Sequence, residues 1–243
     1  MLSAAESKLL LEKVCPLGQV PKYDPNTKTI SLVETSTRRF INDMWNVRKV
    51  PKPFVLTDPD KLDVNNLGFG ITEALALLMQ DDYQLYVKLF KFFETVDKYA
   101  STLISETSNS VIVISHRSLG DRLFPHIHQD SGQNLPTLSL FFNLTNTSNE
   151  NPSLNLYEEL EPNSKFFKKG YTDHKLLLLH ERKNQQVNEI NISNNVGVLF
   201  NAYKTPHTFS YTDDIWVTVL YDNVLPIKKF NYEGPYSVFP IKL

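Results

Sequence analysis

Apolar positions along this chain follow two different periods. Over 82–106, Leu85, Leu89, Phe92, Phe93, Val96 and Leu103 recur close to helical spacing and predict a long amphipathic helix. A shorter helical pattern covers 3–14, where Leu9, Leu10 and Leu11 sit among Glu6, Lys8, Glu12 and Lys13, and another covers 71–79. Between them, Pro16, Pro21, Pro25, Pro51, Pro53 and Pro59 punctuate the chain, and the reading there is irregular. From residue 110 the period shortens. Apolar runs at 111–115, 122–128, 138–144, 153–157, 175–179, 187–192, 196–201 and 215–221 alternate with Gly, Asn, Ser, Asp and Pro clusters. Such spacing predicts short strands of a β-sandwich or barrel, a jelly roll among them. A helix that is apolar on one side needs a sheet to cover it. The expected architecture is therefore mainly β with N-terminal helices in a single domain. A helical buttress and irregular part takes 1–109, a β-core 110–223, and an extended tail with Pro226, Pro235 and Pro240 takes 224–243.

Composition narrows the function classes. The 243 residues are 41% hydrophobic and 21% charged, ordinary globular proportions that build a core without disulfides. Cys15 is the lone cysteine, so no intrachain disulfide exists. A formal net charge of −2 supplies no basic field for a nucleic-acid backbone, so a nucleic-acid partner is not expected. The charged residues among the first fourteen positions argue against a signal peptide. No apolar run approaches the roughly 20 residues that span a bilayer. A soluble, cytoplasmic protein without a membrane partner is expected. The sequence contains no nucleophile elbow, phosphate-binding loop or dinucleotide fingerprint, and Cys15 has no neighbouring histidine.

The stretch from Arg122 to Asp130 carries the candidate chemistry. Residues two apart on a strand share a face, so His126, His128 and Asp130 can point together. Imidazoles and a carboxylate on one face are costly in a core unless they bind something, and a metal is one solution. A second piece runs from Gly197 through Phe200 to Pro206 and His207, a strand ending in a turn that presents His207. Two histidines and one carboxylate form the facial triad of non-haem Fe(II) oxygenases, which leaves the opposite coordination face open. Of the other histidines, His116, His174 and His180 read as surface or core residues, and His126 as a neighbour of the site. Tyr157, Asn201 and Tyr203 are candidates to line the pocket or to be ordinary barrel residues. Trp216 reads as core, and Asp213 with Asp214 as an exposed turn.

The region from about 111 to 223 resembles the double-stranded β-helix of the 2-oxoglutarate and Fe(II)-dependent oxygenase superfamily, in its prolyl-hydroxylase-like or phytanoyl-CoA-dioxygenase-like branches. The resemblance rests on His128, Gln129 and Asp130, then the strand from Gly197 to Phe200, then Pro206 and His207. It implies a cupin-like jelly roll and Fe(II) held by His128, Asp130 and His207 as the catalytic ligands. It also implies 2-oxoglutarate as cosubstrate and hydroxylation of a substrate C–H bond. A small metabolite, a free amino acid or a protein side chain all fit as substrate, and the sequence does not fix the oligomeric state. One departure matters. Members usually place an Arg or Lys on the last core strand to hold the far carboxylate, whereas 213–220 has Thr218 and no basic residue. Arg117 and then Arg122 are the candidates for that fork, with Thr218 adding a hydroxyl. A cupin-type metal site using His126, or a β-helix binding module with a vestigial site, are the alternatives.

Overall fold

The computed structural model describes residues 1–13, 18–24, 29–41, 78–106, 109–116, 127–128, 135–149, 151–164, 188–193, 195–210, 212, 214–227 and 235–243. These residues form mainly antiparallel β-sheet with two helices. Helix α1 is Ala4–Lys13 and α2 is Tyr83–Ala100. The strands are β1 Gly18–Asp24, β2 Thr29–Ile41, β3 Ile104–Glu106, β4 Asn109–His116, β5 Thr137–Asn143, β6 Ser153–Leu156 and β7 Asn188–Asn191. They continue with β8 Val196–Phe200, β9 His207–Ser210, β10 Trp216–Asp222, β11 Leu225–Pro226 and β12 Tyr236–Pro240.

Seven of these strands make one sheet in the order β1-β2-β4-β10-β5-β8-β12. Three more make a second sheet, β7-β6-β9, and β11 pairs with β3. Strand β10 lies near the middle of the large sheet, antiparallel to β4 and β5, and is buried along its whole length. Its alternate residues therefore serve two different cores. Val217, Val219 and Tyr221 join Leu138, Leu140, Phe142 and Leu199 beneath the helices, with Leu10, Leu85, Leu89, Phe93 and Val96. Trp216 joins Phe141, Val198 and Phe200 on the other face, against Leu154, Leu156, Ile190 and Phe209 of the small sheet. The ring of Phe92 meets Phe142 edge-on at 5.1 Å on the helical side, and Phe141 meets Phe209 at 5.4 Å on the other.

Local chemistry explains the element ends. Ser3 and Glu6 form a capping box at the start of α1: Ser3 N–H donates to Glu6 Oε2 at 2.6 Å, and Glu6 N–H donates to Ser3 Oγ at 3.2 Å. That contact, with Lys88 nearby, holds the Glu6 carboxyl below its ordinary range despite partial desolvation. Asp82 caps α2 by accepting the Leu85 N–H at 2.9 Å. Asn146, Asn195 and Asn223 adopt positive φ at turns beside β5, β8 and β10. Asn tolerates this conformation better than most residues.

Several expectations from the sequence are corrected here. The helix over 82–106 ends at Ala100, and 104–106 is strand β3 instead. The stretch read as irregular contains two strands, β1 and β2, the first passing through Pro21. Strand β9 was not expected; it starts at His207. Within the stretch expected as an extended tail, β12 pairs with β8 as an edge strand, and 228–234 lie outside the described residues. The strands expected at 122–128 and 175–179 lie almost wholly outside the described residues, as does most of the helix expected over 71–79. No described helix is long and apolar enough to cross a membrane.

Candidate functional site

The turn between β8 and β9 organises the site. Asn201 builds it: its Oδ1 accepts the N–H of Tyr203 at 3.1 Å and of Lys204 at 3.2 Å, and its carbonyl accepts the N–H of Thr205 at 2.9 Å. Such Asx turns are a common use of Asn beside a strand. Asn201 is thus a turn-forming residue and Tyr203 part of the same turn. The turn then presents two carbonyls. Ala202 O accepts the His128 N–H at 2.9 Å, and Thr205 O accepts from His207 Nδ1 at 3.0 Å. On its far side Pro206 O accepts the Tyr157 N–H at 2.9 Å and Lys204 O accepts that of Leu160 at 2.9 Å, anchoring the turn to the chain after β6.

His207 is fully buried at the first position of β9, opposite Leu156 of β6. Phe200 and Phe209 wall its ring at centroid distances of 5.0 and 5.7 Å. His128 approaches from a non-strand segment, and the two imidazole centroids stand 5.0 Å apart. The second hydrogen-bonding group on His128 is a carboxylate: Nδ1 lies 3.1 Å from Asp222 Oδ1, at the end of β10. The same oxygen accepts from Thr137 Oγ1 of β5 at 2.8 Å. Each Nδ1 faces an oxygen that only accepts, so a neutral ring at either position carries its lone pair on Nε2. That is the tautomer in which histidine ligates a metal through Nε2.

Of the predicted site residues, His128 and His207 are brought together. Asp130, Arg117, Arg122 and His126 lie outside the described residues, so the carboxylate ligand and both candidate cations have no described position. Among the described residues no group of three His, Cys, Asp or Glu side chains is placed to hold a metal ion. Thr218 is buried in mid-β10, on the strand face that also carries Trp216 and Asp222. Thr137, Thr205 and Asp222 were missed by sequence reasoning. Asp222 did carry a signal: a carboxylate closing a run that is otherwise apolar apart from Thr218, in phase with Trp216 and Thr218.

No family model matches the chain, and no curated protein matches it. Among solved structures, it is similar to the capsular polysaccharide assembling protein CapF from Staphylococcus aureus, at 11% identity with a TM-score of 0.28. That alignment covers 98% of this chain, which spans about half (52%) of the CapF chain.

A second polar cluster lies at the opposite end of β10. Asp214, expected in an exposed turn, is 1% exposed. Its Oδ1 accepts from Thr145 Oγ1 at 2.8 Å, from Thr147 N–H at 2.6 Å and from Thr147 Oγ1 at 2.7 Å. Its Oδ2 accepts from Asn143 Nδ2 at 2.9 Å and from Thr212 Oγ1 at 3.1 Å. Burial alone would raise this carboxyl's pKa; the donors from Thr147, Asn143 and Thr145 outweigh it and hold the group well below the usual carboxylate range. Thr212 also accepts from Trp216 Nε1 at 3.0 Å, so the cluster fixes the start of β10 and the buried Trp216, expected as core. Its carboxylate is saturated with donors, which suits a structural role.

Proposed function

We propose that this chain is a non-haem Fe(II), 2-oxoglutarate-dependent dioxygenase that hydroxylates a C–H bond, on a double-stranded β-helix. One observation carries the reading. Two histidines far apart in sequence, His128 and His207, meet at 5.0 Å between ring centroids, each with Nδ1 held by an oxygen acceptor. The donor set fits Fe(II): neutral imidazoles suit iron, and the sequence His128-Gln129-Asp130 offers a carboxylate two residues after the first histidine. Two antiparallel sheets packed face to face, with helices on the outside of the larger, support the β-helix reading.

In this reading His128, Asp130 and His207 hold the metal. Iron and 2-oxoglutarate, when bound, would supply the oxidising chemistry, in which O₂, the cosubstrate and a substrate C–H give succinate, CO₂ and the corresponding alcohol. The chain's own residues prepare the site. Thr205 O and Asp222 fix the two ring orientations. Phe200 and Phe209 exclude water from the His207 side, which strengthens every polar interaction there. Arg117 or Arg122 pairs with the far carboxylate of the cosubstrate, because a buried dianion needs a charged fork and β10 offers none. Thr218 adds a hydroxyl. The substrate is a small molecule, an amino acid or a protein side chain.

Anaerobic addition of Fe(II) and then 2-oxoglutarate to the metal-free protein tests this. The weak visible charge-transfer band of a chelated cosubstrate is expected, and it should vanish in Asp130→Ala and in His207→Ala. Iron binding without the band would remove 2-oxoglutarate from the reading and favour a cupin-type site. Absence of iron binding would leave a β-helix binding module whose site is vestigial.

A further inference from the structure

The sequence of β10 runs Trp, Val, Thr, Val, Leu, Tyr and ends on Asp222, and all seven positions are buried. Placing a carboxylate there is unfavourable unless it is compensated, since desolvating an ionised group costs several kcal/mol in practice. Hydrophobic packing gives no reason for it, because Tyr221 and Leu220 already complete the two apolar faces at that end of the strand. What Asp222 does have is a pair of donors on one oxygen: Thr137 Oγ1 at 2.8 Å and His128 Nδ1 at 3.1 Å. Thr137 and Asp222 come from adjacent strands of the rigid large sheet, where Tyr221 pairs with Leu138. His128 itself lies outside the strands, and its backbone N–H donates to Ala202 O at 2.9 Å. The sheet therefore supplies the fixed point and His128 the part to be fixed.

We infer that Asp222 is the positioning residue of the candidate metal site. It holds the His128 ring as the Nδ1–H tautomer, with the Nε2 lone pair left for a ligand. Thr137 orients the carboxylate, so the chain of contacts runs Thr137, Asp222, His128, ligand. This inference rests on the oxygenase reading for the identity of the ligand. The underlying physics is general: a metal-binding imidazole usually donates its other N–H to an acceptor, and removing that acceptor weakens metal affinity by about 10–100-fold. The two rings are unequal in this respect. The Nδ1 of His207 faces a backbone carbonyl, whereas that of His128 faces a side-chain carboxylate.

The test uses the full chain, with Co(II) as an optical probe for Fe(II), in wild type, Asp222→Ala and Asp222→Asn. First, long-range proton–nitrogen NMR of the metal-free proteins, at a pH above the ordinary histidine range, reads the tautomer of His128. Wild type is expected as Nδ1–H, and Asp222→Ala is expected to shift the ring toward Nε2–H. A purely structural role for Asp222 would not move this signal. Second, titration of the Co(II) visible bands gives Kd. Asp222→Ala should weaken binding by up to about a hundredfold, and Asp222→Asn, which keeps an acceptor but not the charge, by about tenfold. Asp222→Asn keeps the size of the side chain, so it reports even if the alanine variant does not fold. Wild-type Kd and an unchanged tautomer in the variants would overturn the role of Asp222 while leaving the oxygenase reading in place. Failure of the wild-type protein to bind Co(II) at all would instead remove the metal site, and this inference with it.

Discussion

Asp214 shows what a single buried carboxylate does when it is fully supplied with donors. Thr145, Thr147, Asn143 and Thr212 all point at it, joining the loop after β5 to the start of β10. Its pKa is depressed in the folded protein, so the unfolded chain binds the proton more tightly. The resulting stabilisation is complete above the ordinary Asp value of about 4 and is lost as pH falls below it toward the folded value. Chemical denaturation across acid pH should show wild-type stability declining below about pH 4, with a shallower decline in Asp214→Asn. Asp214→Ala should cost about 3 kcal/mol at neutral pH, because four side chains lose a charged acceptor at once. At this scale the sequence misled for Asp214, which read as solvent-facing, since all its donors but Thr212 lie far back in the chain at 143–148. Asp222 escaped for the same reason. Its partners, Thr137 and His128, become neighbours only when β5 and β10 pair.

At the scale of elements, β12 is held to the large sheet by a glycine. Gly197 of β8 lies under the ring of Phe239, with no room for a Cβ. The missing side chain lets the aromatic ring of the edge strand cover β8, a packing that any larger residue would push apart. Gly197→Val should destabilise the protein by about 1–3 kcal/mol, measured by thermal or urea unfolding. Combining it with Phe239→Ala should recover part of that loss, a non-additivity expected of residues in contact. Equal losses in the presence and absence of the ring would refute the contact as the cause. The elements were unequally legible. Helix α2 was readable from its apolar stripe, and β5, β8 and β10 from runs rich in Leu, Val and Phe. Strand β9 is four residues long, His207–Ser210, and too short to show a period. The two strands β1 and β2 were hidden by prolines that suggest interruption, although Pro21 sits on the outermost strand of the sheet, where a missing N–H is tolerated.

At the scale of the whole molecule, the large sheet separates two cores with different duties. The helical side, with Leu10, Leu89, Phe93 and Phe142, contains neither His128 nor His207. The other side, with Phe141, Phe200 and Phe209, abuts the histidines. Phe93→Ala should therefore cost about 3–5 kcal/mol of stability while leaving the metal affinity of the folded fraction unchanged. A loss of metal affinity in Phe93→Ala, at temperatures where the protein is folded, would show that the two cores are coupled through the sheet.

The sequence by itself determined the mainly β character, the helix at each of 4–13 and 83–100, and the order of a His-x-Asp motif and a later strand-turn-His along the chain. Each of these is written in local order, as period, spacing or composition. Tertiary structure alone decided which side chains meet. It set the 5.0 Å approach of His128 and His207, the Asp222 and Thr137 contacts behind His128, and the carbonyls of the 201–206 turn that hold both histidines. The reason is physical. A strand declares its apolar faces in its own residues, but its neighbours are chosen by the packing of the whole sheet, and a hydrogen bond between distant residues leaves no mark on either segment until they are brought together.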